Sequence, residues 1–346
     1  YETKSNLRKD QVRLLRDAGV RRIQPGIESL SDSVLSLMRK GVGALQNIQL
    51  LKWAKEFGVE LDWNFIWGFP GEDPNAYAEM ARLLPHLDHL QPPELSLGIL
   101  LDRFSPNFVE SERFGFSDIA PFPSLRHVYP LAPEAVYNLA YHFTFNYREK
   151  RDVASYVEPL VKAIRAWKRH HPSAALFSVQ VGPYLLVWDL RRGARECLVK
   201  LAGIDRALFE ACENTRELKS LVEIAANAQE AGVDACNVEW IERRLEPLLD
   251  RGIMIRHGSR VLSLPIPLGE YTPTGKSLDR FFQVASARGW RANGEIVVPL
   301  TGSNEHPAAR LSTRNDSQRL TSFRYPKRLA PKHFSLDGDG NVRISL

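Results

Sequence analysis

The first 105 residues alternate between short apolar runs typical of strands and longer segments with helical periodicity. The predicted strands are Tyr1–Asn6, Val20–Ile27, Val59–Trp67 and Leu95–Phe104. The predicted helices are Lys9–Ala18, Asp32–Arg39, Leu45–Phe57 and Pro74–Leu87. Strands separated by helices of this length imply an α/β fold with a parallel sheet and crossover connections. Because four strands are too few to close a barrel, the pattern predicts part of one.

Two polar turns follow neighbouring predicted strands. Gly26-Ile27-Glu28-Ser29 ends the second strand, and Gly68-Phe69-Pro70-Gly71 ends the third. Ser31 is expected to cap the next helix, because its hydroxyl can accept a hydrogen bond from a free amide of the first turn. Parallel α/β architectures bind their ligands at the carboxyl ends of the strands. The two turns are therefore the candidate ligand site.

The four strand ends, taken in order, resemble those of one enzyme family. They are Tyr1–Leu7, Ile23–Leu30 with Leu37–Gly41, Trp63–Glu72 and Leu101–Pro106. Together they resemble the cobalamin-dependent radical S-adenosylmethionine (radical SAM, AdoMet) methyltransferases that mature ribosomal peptides. The resemblance is detailed over about residues 1–150. It implies the C-terminal part of a radical SAM (TIM-like) barrel over residues 1–110.

The same resemblance implies an activity and its cofactors. The activity is methyl transfer to an unactivated carbon of a ribosomally made precursor peptide, which would be the partner of the enzyme. The cofactors are AdoMet, a [4Fe-4S] cluster and cobalamin. Two alternatives stay open: another radical SAM enzyme (a methylthiotransferase or a cobalamin-dependent enzyme with a small-molecule substrate), or a non-catalytic peptide- or nucleic-acid-binding protein.

Carried over by position, the resemblance also implies which residues contact AdoMet. Glu28 and Ser29 would bind the ribose hydroxyls or the ammonium group, and Lys40 would pair with the methionyl carboxylate. Glu2 and Lys4 are also implied contacts. The backbone of Gly68, Phe69 and Pro70 would bind adenine. Each feature also has a structural interpretation: Glu28 as a favourable charge near a helix N-terminus, Lys40 as a solvated side chain, and Gly68–Gly71 as an ordinary turn.

The cysteines do not match the cluster signature of the family, which is Cys-x3-Cys-x2-Cys. Cys197, Cys212 and Cys236 are 15 and 24 residues apart, and Cys212 is interpreted as a small core residue. No metal ligand is therefore predicted in this chain, and the catalytic residues are not identified. The chain opens inside a predicted strand, so we expect a fragment whose cluster loop and cobalamin domain lie upstream of Tyr1, and which is inactive alone.

Three further regions follow the barrel part. Residues 111–198 are predicted to form an α+β accessory region, largely irregular up to residue 150. Residues 199–268 read as three helices and a hairpin, a winged-helix-like unit that could grip a leader peptide, pack against the barrel or bind DNA. The acidic third helix, Asn237–Asp250, disfavours nucleic acid. Residues 269–346 are predicted to be a mostly disordered tail.

Composition limits the class of protein. The chain has 346 residues, is 44% hydrophobic and has a net charge of +5, so it can bury a substantial core. No apolar run approaches the ~20 residues of a membrane span. The wide cysteine spacing fits a reducing compartment. We therefore expect a soluble, cytoplasmic protein with no membrane partner.

Overall fold

The computed structural model describes residues 1–228, 236–292, 295–300 and 328–345. Its N-terminal elements are β1 (Glu2–Thr3), α1 (Lys9–Asp17), β2 (Arg22–Pro25), α2 (Asp32–Leu37), α3 (Ala44–Phe57), β3 (Glu60–Leu61), β4 (Asn64–Trp67), α4 (Pro74–Leu83), a 3-10 turn (Leu84–Leu87) and β5 (Leu95–Gly98). The predicted alternation of strands and helices is confirmed, although the strands are shorter than predicted.

These strands are parallel, and their spatial order follows the chain. β1 pairs with β2, β2 with β3, and β4 with β5. A further parallel bridge between Glu28 and Phe65 connects the end of β2 to β4. The described strands form an open arrangement and not a closed barrel. Because all of them run in one direction, the turns after β1, β2 and β4 lie at the same end.

Helices cover one face of these strands. Along β2, Ile23 and Pro25 are buried, whereas Arg22 and Gln24 are exposed, as expected when side chains alternate between two faces. Ile23 belongs to the apolar cluster that also contains Val12 of α1 and residues of α3. The packing of these helices fixes the strands, and thereby the turns at their ends.

A small antiparallel sheet follows. Its region contains β6 (Leu101–Asp102), α5 (Pro106–Val109), β7 (Phe116–Pro121), α6 (Leu125–Val128), α7 (Pro133–Leu139) and β8 (His142–Tyr147). The strands pair in the order β6–β8–β7 around a separate apolar cluster. The prediction of an irregular segment is wrong here for β7. A register shift between Ser117 and Ala120, with Asp118 at φ +52°, hides the alternation that marks a strand.

The middle of the chain forms a helix and a second sheet. Its elements are α8 (Val153–His170), β9 (Leu176–Val181), β10 (Tyr184–Asp189) and β11 (Leu198–Leu201). The predicted hairpin about Gly182 and Pro183 is present, with Val181 opposite Tyr184. α8 packs against α4 and thereby lies close to the turn after β4.

Residues 203–263 form three helices and a three-stranded antiparallel sheet. The elements are α9 (Gly203–Ala211), β12 (Arg216–Glu217), α10 (Leu218–Ala228), α11 (Val238–Asp250), β13 (Met254–His257) and β14 (Arg260–Ser263). The strands pair in the order β12–β14–β13. Residues 229–235 lie outside the described residues.

The described residues after 264 are structured. They form β15 (Ile266–Pro267), α12 (Gly275–Ala287), β16 (Arg291–Ala292), β17 (Glu295–Val298), a 3-10 turn (Pro331–His333), β18 (Phe334–Leu336) and β19 (Val342–Ile344). The prediction of a mostly disordered tail is wrong for these residues, because β17 finds its partner β19 across more than forty residues, which no local pattern reveals. Residues 301–327 of the predicted tail lie outside the described residues. No helix within the described ranges is long and apolar enough to cross a membrane.

Candidate functional site

The turn after β2 holds Glu28 in a left-handed backbone conformation, with φ +60°. Residues other than glycine rarely adopt this conformation, which costs on the order of 1 kcal/mol or more. The Nζ atom of Lys40 donates a hydrogen bond of 2.8 Å to Glu28 Oε1. The two side chains are 27% (Glu28) and 24% (Lys40) exposed. The carboxyl end of the sheet therefore holds an ion pair that solvent can reach.

Two backbone features bring this pair together. A Cβ atom at Gly26 would lie 2.8 Å from Lys40 Nζ and 3.3 Å from Glu28 Oε1, so a side chain there would displace the Lys40 ammonium from its present position. At the end of α2, Arg39 takes φ +53°, and the amide of Lys40 donates to Leu35 O at 3.1 Å. This is a Schellman termination with arginine in the position that glycine usually occupies. It turns the chain so that Lys40 lies beside Glu28.

Ser29 lies inside the protein. It is 1% exposed, its Oγ accepts a hydrogen bond from the amide of Ser31 at 3.2 Å, and it contacts Met80 Sδ at 3.5 Å. Ser31 occupies the N-cap position of α2, but its side chain makes no capping bond and instead bonds Ser33 Oγ at 2.9 Å. The predicted capping bond is therefore wrong, and the Ser29 hydroxyl stabilises the turn from within.

The side chain of Asn47, on α3, forms hydrogen bonds to the backbone of the same turn. Its Nδ2 donates to Ile27 O at 3.2 Å and to Ser29 O at 3.0 Å. Asn47 is fully buried, and an amide that donates twice to one loop fixes its backbone. Sequence reasoning missed this residue. The only signal was a polar side chain among the apolar positions of α3.

Glu2 and Lys4 lie on the neighbouring strand. Thr3 pairs with Pro25, so Lys4 lies level with Gly26. Both charged side chains are exposed, and neither forms an ion pair or hydrogen bond with another residue in the described parts of the chain. The structure thus places Glu2 and Lys4 at the same end of the sheet as the Glu28–Lys40 pair.

The turn after β4 is organised by a buried glutamate. Gly68 has φ +90°, and a Cβ atom there would meet the Tyr147 hydroxyl at 2.6 Å. Glu72 is 6% exposed, and its carboxylate accepts the amides of Gly68 at 2.8 Å and Phe69 at 2.9 Å. Tyr77 OH also donates to this carboxylate at 2.5 Å. The amides of Gly68 and Phe69 are therefore bound within the protein.

Residues from two later elements complete this network. Tyr156 of α8 donates its hydroxyl to Glu72 Oε1. The Tyr147 hydroxyl donates to Gly68 O at 2.5 Å, and Arg151 Nη1 donates to Phe69 O at 3.0 Å. Burial and the Glu72 charge raise the pKa of Tyr147 to about 12. Sequence reasoning predicted the turn but missed Glu72, although an acid directly after Gly71 was a signal that it could reach back.

These hydrogen bonds limit which groups of the turn could make the predicted contact with adenine. Since the amides of Gly68 and Phe69 donate to Glu72, they are not free to donate to a ligand. The half-buried Phe69 and Pro70 side chains and the second lone pair of Gly68 O remain for contact with a flat ring, whereas Phe69 O already accepts from Arg151 and from the amide of Glu72. The turn can therefore present a surface and an acceptor, but not the amide donors of Gly68 and Phe69.

The cysteines do not fit a [4Fe-4S] cluster. Cys212 is buried, which raises the pKa of its thiol to about 12, and burial also raises the pKa of Cys197. A cluster requires cysteine thiolates that converge in space on its irons. Within the described residues, no group of three His, Cys, Asp or Glu side chains can hold a metal ion. The described residues thus provide a solvent-accessible ion pair at the end of the sheet but no set of side chains that could hold a cluster.

Part of this chain is similar to a known protein family. Residues 1–84 match the family model of the radical SAM superfamily, which implies an enzyme that uses AdoMet and a [4Fe-4S] cluster. Among solved structures, coproporphyrinogen III oxidase (HemN) from Escherichia coli, described as a radical SAM enzyme, aligns with 13% identity and a TM-score of 0.26. That alignment covers 81% of this chain and 67% of the other. No curated protein matches the chain. The matched segment, residues 1–84, carries Glu28, Lys40 and the Gly68–Gly71 turn.

Proposed function

We propose that this chain belongs to a cobalamin-dependent radical SAM methyltransferase that methylates a carbon of a ribosomally made peptide, and that it supplies part of the AdoMet site. The superfamily match of residues 1–84 supports the use of AdoMet. The methyltransferase and peptide assignments rest on the resemblance of the four strand ends.

The Glu28–Lys40 pair is the observation that carries the proposal. It lies at the carboxyl end of a parallel sheet, where α/β proteins bind ligands. The Lys40 ammonium complements the methionyl carboxylate of AdoMet, and the Glu28 carboxylate can accept from the ribose hydroxyls or the AdoMet ammonium. AdoMet supplies the methyl group when it is bound, while these two residues hold its charged ends.

The unit formed by residues 203–263 is proposed to be winged-helix-like, on the basis of its helix and strand order. Its contacts favour a packing role: Lys52 of α3 is buried and donates to the carbonyls of Ser263 and Glu213. On α11, Glu239, Glu242 and Glu246 line an open groove together with Arg243 and Arg256, and this mixed, slightly acidic lining does not favour phosphate. The proposed peptide partner therefore rests on the resemblance of the strand ends and not on this unit.

An AdoMet titration followed by NMR tests the proposal. We expect shift changes at Lys4, Glu28 and Lys40, with a dissociation constant roughly millimolar at best, or ~4 kcal/mol, because exposed ion pairs contribute little. Lys40→Met should reduce the affinity by about fivefold to tenfold through loss of the charge-assisted bond.

Lys162→Met is the matched control. Lys162 forms an exposed ion pair with Glu158 on α8, with Nζ and Oε1 2.9 Å apart, and its loss should leave AdoMet binding unchanged. Equal affinities for wild type and Lys40→Met would remove the proposed contact.

The gene sequence upstream of the Tyr1 codon separates the alternatives. A Cys-x3-Cys-x2-Cys loop with a cobalamin-binding domain supports the methyltransferase, which can then be tested by mass spectrometry of a co-expressed precursor peptide. A cluster loop without a cobalamin domain favours another radical SAM enzyme. A start codon immediately before Tyr1 favours a non-catalytic binding protein.

A further inference from the structure

Glu72 is a buried carboxylate whose hydrogen-bond partners are neutral. Its oxygens accept the amides of Gly68 and Phe69 and the hydroxyls of Tyr77 and Tyr156. No lysine, arginine or histidine pairs with it in the part of the chain that the structure describes. A buried charge held only by oriented neutral donors is expensive to desolvate, so the donors must stay in place to satisfy it.

The donors connect the turn to elements far along the chain. Tyr77 lies on α4 and Tyr156 on α8, and their rings pack with centroids 5.3 Å apart. Tyr147 and Arg151 hold the carbonyls of the same turn, and the Arg151 guanidinium lies 5.1 Å from the centre of the Tyr147 ring. Three of these four side chains lie outside residues 1–84.

The turn needs this support. Gly68 and Gly71 have φ of +90° and +82°, and glycines at such angles lose more conformational entropy on ordering than other residues do. A loop that samples many conformations binds more weakly, because ligand binding must then order it. Glu72 removes that cost in advance by binding two successive amides of the turn.

We propose that Glu72 is a positioning residue, and that it and the segment Tyr147–Tyr156 fix the Gly68–Gly71 turn in the shape that contacts the adenine of AdoMet. This role rests on the proposed use of AdoMet. It makes the later part of the chain a component of the cofactor site, and not only of the accessory region. Burial and the bond to Glu72, which raise the pKa of Tyr77 and Tyr156, keep both phenols protonated as donors at neutral pH.

Glu72→Gln tests the proposal, because an amide retains the size of the side chain but has one acceptor oxygen in place of two. We expect the amides of Gly68 and Phe69 to exchange with solvent at least about tenfold faster, while the amide of Ile99, which donates to Trp67 O, is unaffected. The initial slope of the AdoMet shift changes should fall by about tenfold, which corresponds to ~1.4 kcal/mol.

Glu56→Gln is the matched control. Glu56 is equally buried, at 7% exposed against 6% for Glu72, but it pairs with Lys9 away from the turn. Its loss should lower stability without changing exchange at Gly68 or the response to AdoMet. If Glu72→Gln does not fold, Tyr156→Phe removes a single donor and should reduce the AdoMet response by about twofold to fivefold, since one hydrogen bond contributes ~1 kcal/mol.

The outcomes are distinct. Unchanged amide exchange, or faster exchange with an unchanged AdoMet response, in folded Glu72→Gln or Tyr156→Phe overturns the positioning role while the proposed function stands. A response to AdoMet that falls as much in Glu56→Gln as in Glu72→Gln also overturns it, because the effect is then one of stability. Protected turn amides in a wild type that does not respond to AdoMet refute the proposed function, and the adenine role of the turn with it.

Discussion

Glu28 keeps a strained backbone conformation, and the strain coincides with the candidate site. Backbone strain of this kind persists only where the surrounding structure imposes it, and it is common at functional sites. Here Asn47 holds the carbonyls on both sides of Glu28, and Gly26 leaves space for its partner Lys40. At the scale of single residues, the geometry of the site therefore depends on two neighbours that carry no charge, Asn47 and Gly26.

Glu28→Gly should leave the protein as stable as the wild type or more stable by up to about 1 kcal/mol. Glycine relieves the strain at φ +60°, and the lost ion pair is worth only ~0–1 kcal/mol at this exposure. Urea unfolding measures the change. Glu60→Gly, at an exposed position of β3, is the control and should destabilise by roughly 0.5–1 kcal/mol. A loss of more than about 1 kcal/mol in Glu28→Gly would show that the residue is needed for folding.

At this scale, the sequence predicted some residues and not others. The family resemblance indicated Glu28 and Lys40 as cofactor contacts, which stays a prediction. The structure brings the two side chains together as an ion pair that the sequence did not predict. Glu72 and Asn47 were missed, because each bonds backbone groups that only folding brings into reach. Such partners leave no pattern of residue types.

At the scale of elements, the end of α8 contacts the segment that follows α4 and its 3-10 turn. His171, just after α8, bonds Asp88 O through Nδ1 at 3.1 Å, and His89 Nε2 bonds Leu264 O at 3.1 Å. Burial lowers the pKa of His171 to about 4 and lowers that of His89 well below its ordinary value. Both imidazoles are thus neutral in the folded protein near neutral pH.

Acid should therefore weaken this contact. In the unfolded chain His171 takes up a proton near pH 6.5, whereas in the folded protein it does so only near pH 4. Between these values the unfolded state binds more protons than the folded state. The contribution of neutral His171 to the free energy of unfolding is therefore complete above about pH 6.5 and is lost as the pH falls. When the pH is lowered from about 7 to about 5, the free energy of unfolding of His171→Gln should therefore fall by about 2 kcal/mol less than that of the wild type.

Urea unfolding at the two pH values measures this difference. Asp88, whose pKa burial raises, contributes in the opposite direction, but it is present in both proteins and cancels in the comparison. Equal pH dependence in wild type and variant would mean that folding does not lower the pKa of His171.

The elements also differ in how far local sequence determines them. The N-terminal helices and strands, α8 and the hairpin at Gly182 carry their own periodicity and turn residues, and were predicted. β7 was missed because of its bulge at Asp118, and β17 because its partner β19 is distant. Pairing between distant strands depends on the whole fold and is not encoded locally.

At the scale of the whole molecule, the chain as printed should neither assemble a [4Fe-4S] cluster nor cleave AdoMet. Cys212 is buried with its pKa raised to about 12, so its thiolate is scarce at neutral pH. Anaerobic reconstitution with iron and sulfide, followed by absorbance of the cluster band and an assay for 5′-deoxyadenosine, measures both activities. A stoichiometric cluster with turnover would require Cys197, Cys212 and Cys236 to converge, contrary to the fold described above.

The position of β19 has a consequence for biosynthesis. β19 lies between β17 and β18, and its Val342 and Ile344 are fully buried with Ile296 and Val298. A strand in the middle of a sheet is needed by both of its neighbours. During translation, β17 and β18 lack their partner strand until residues 342–344 leave the ribosome. Until then their edges and apolar side chains are exposed. A nonsense mutation only a few codons before Val342 would therefore leave two unpaired strands, a product suited to aggregation or to capture by chaperones and proteases.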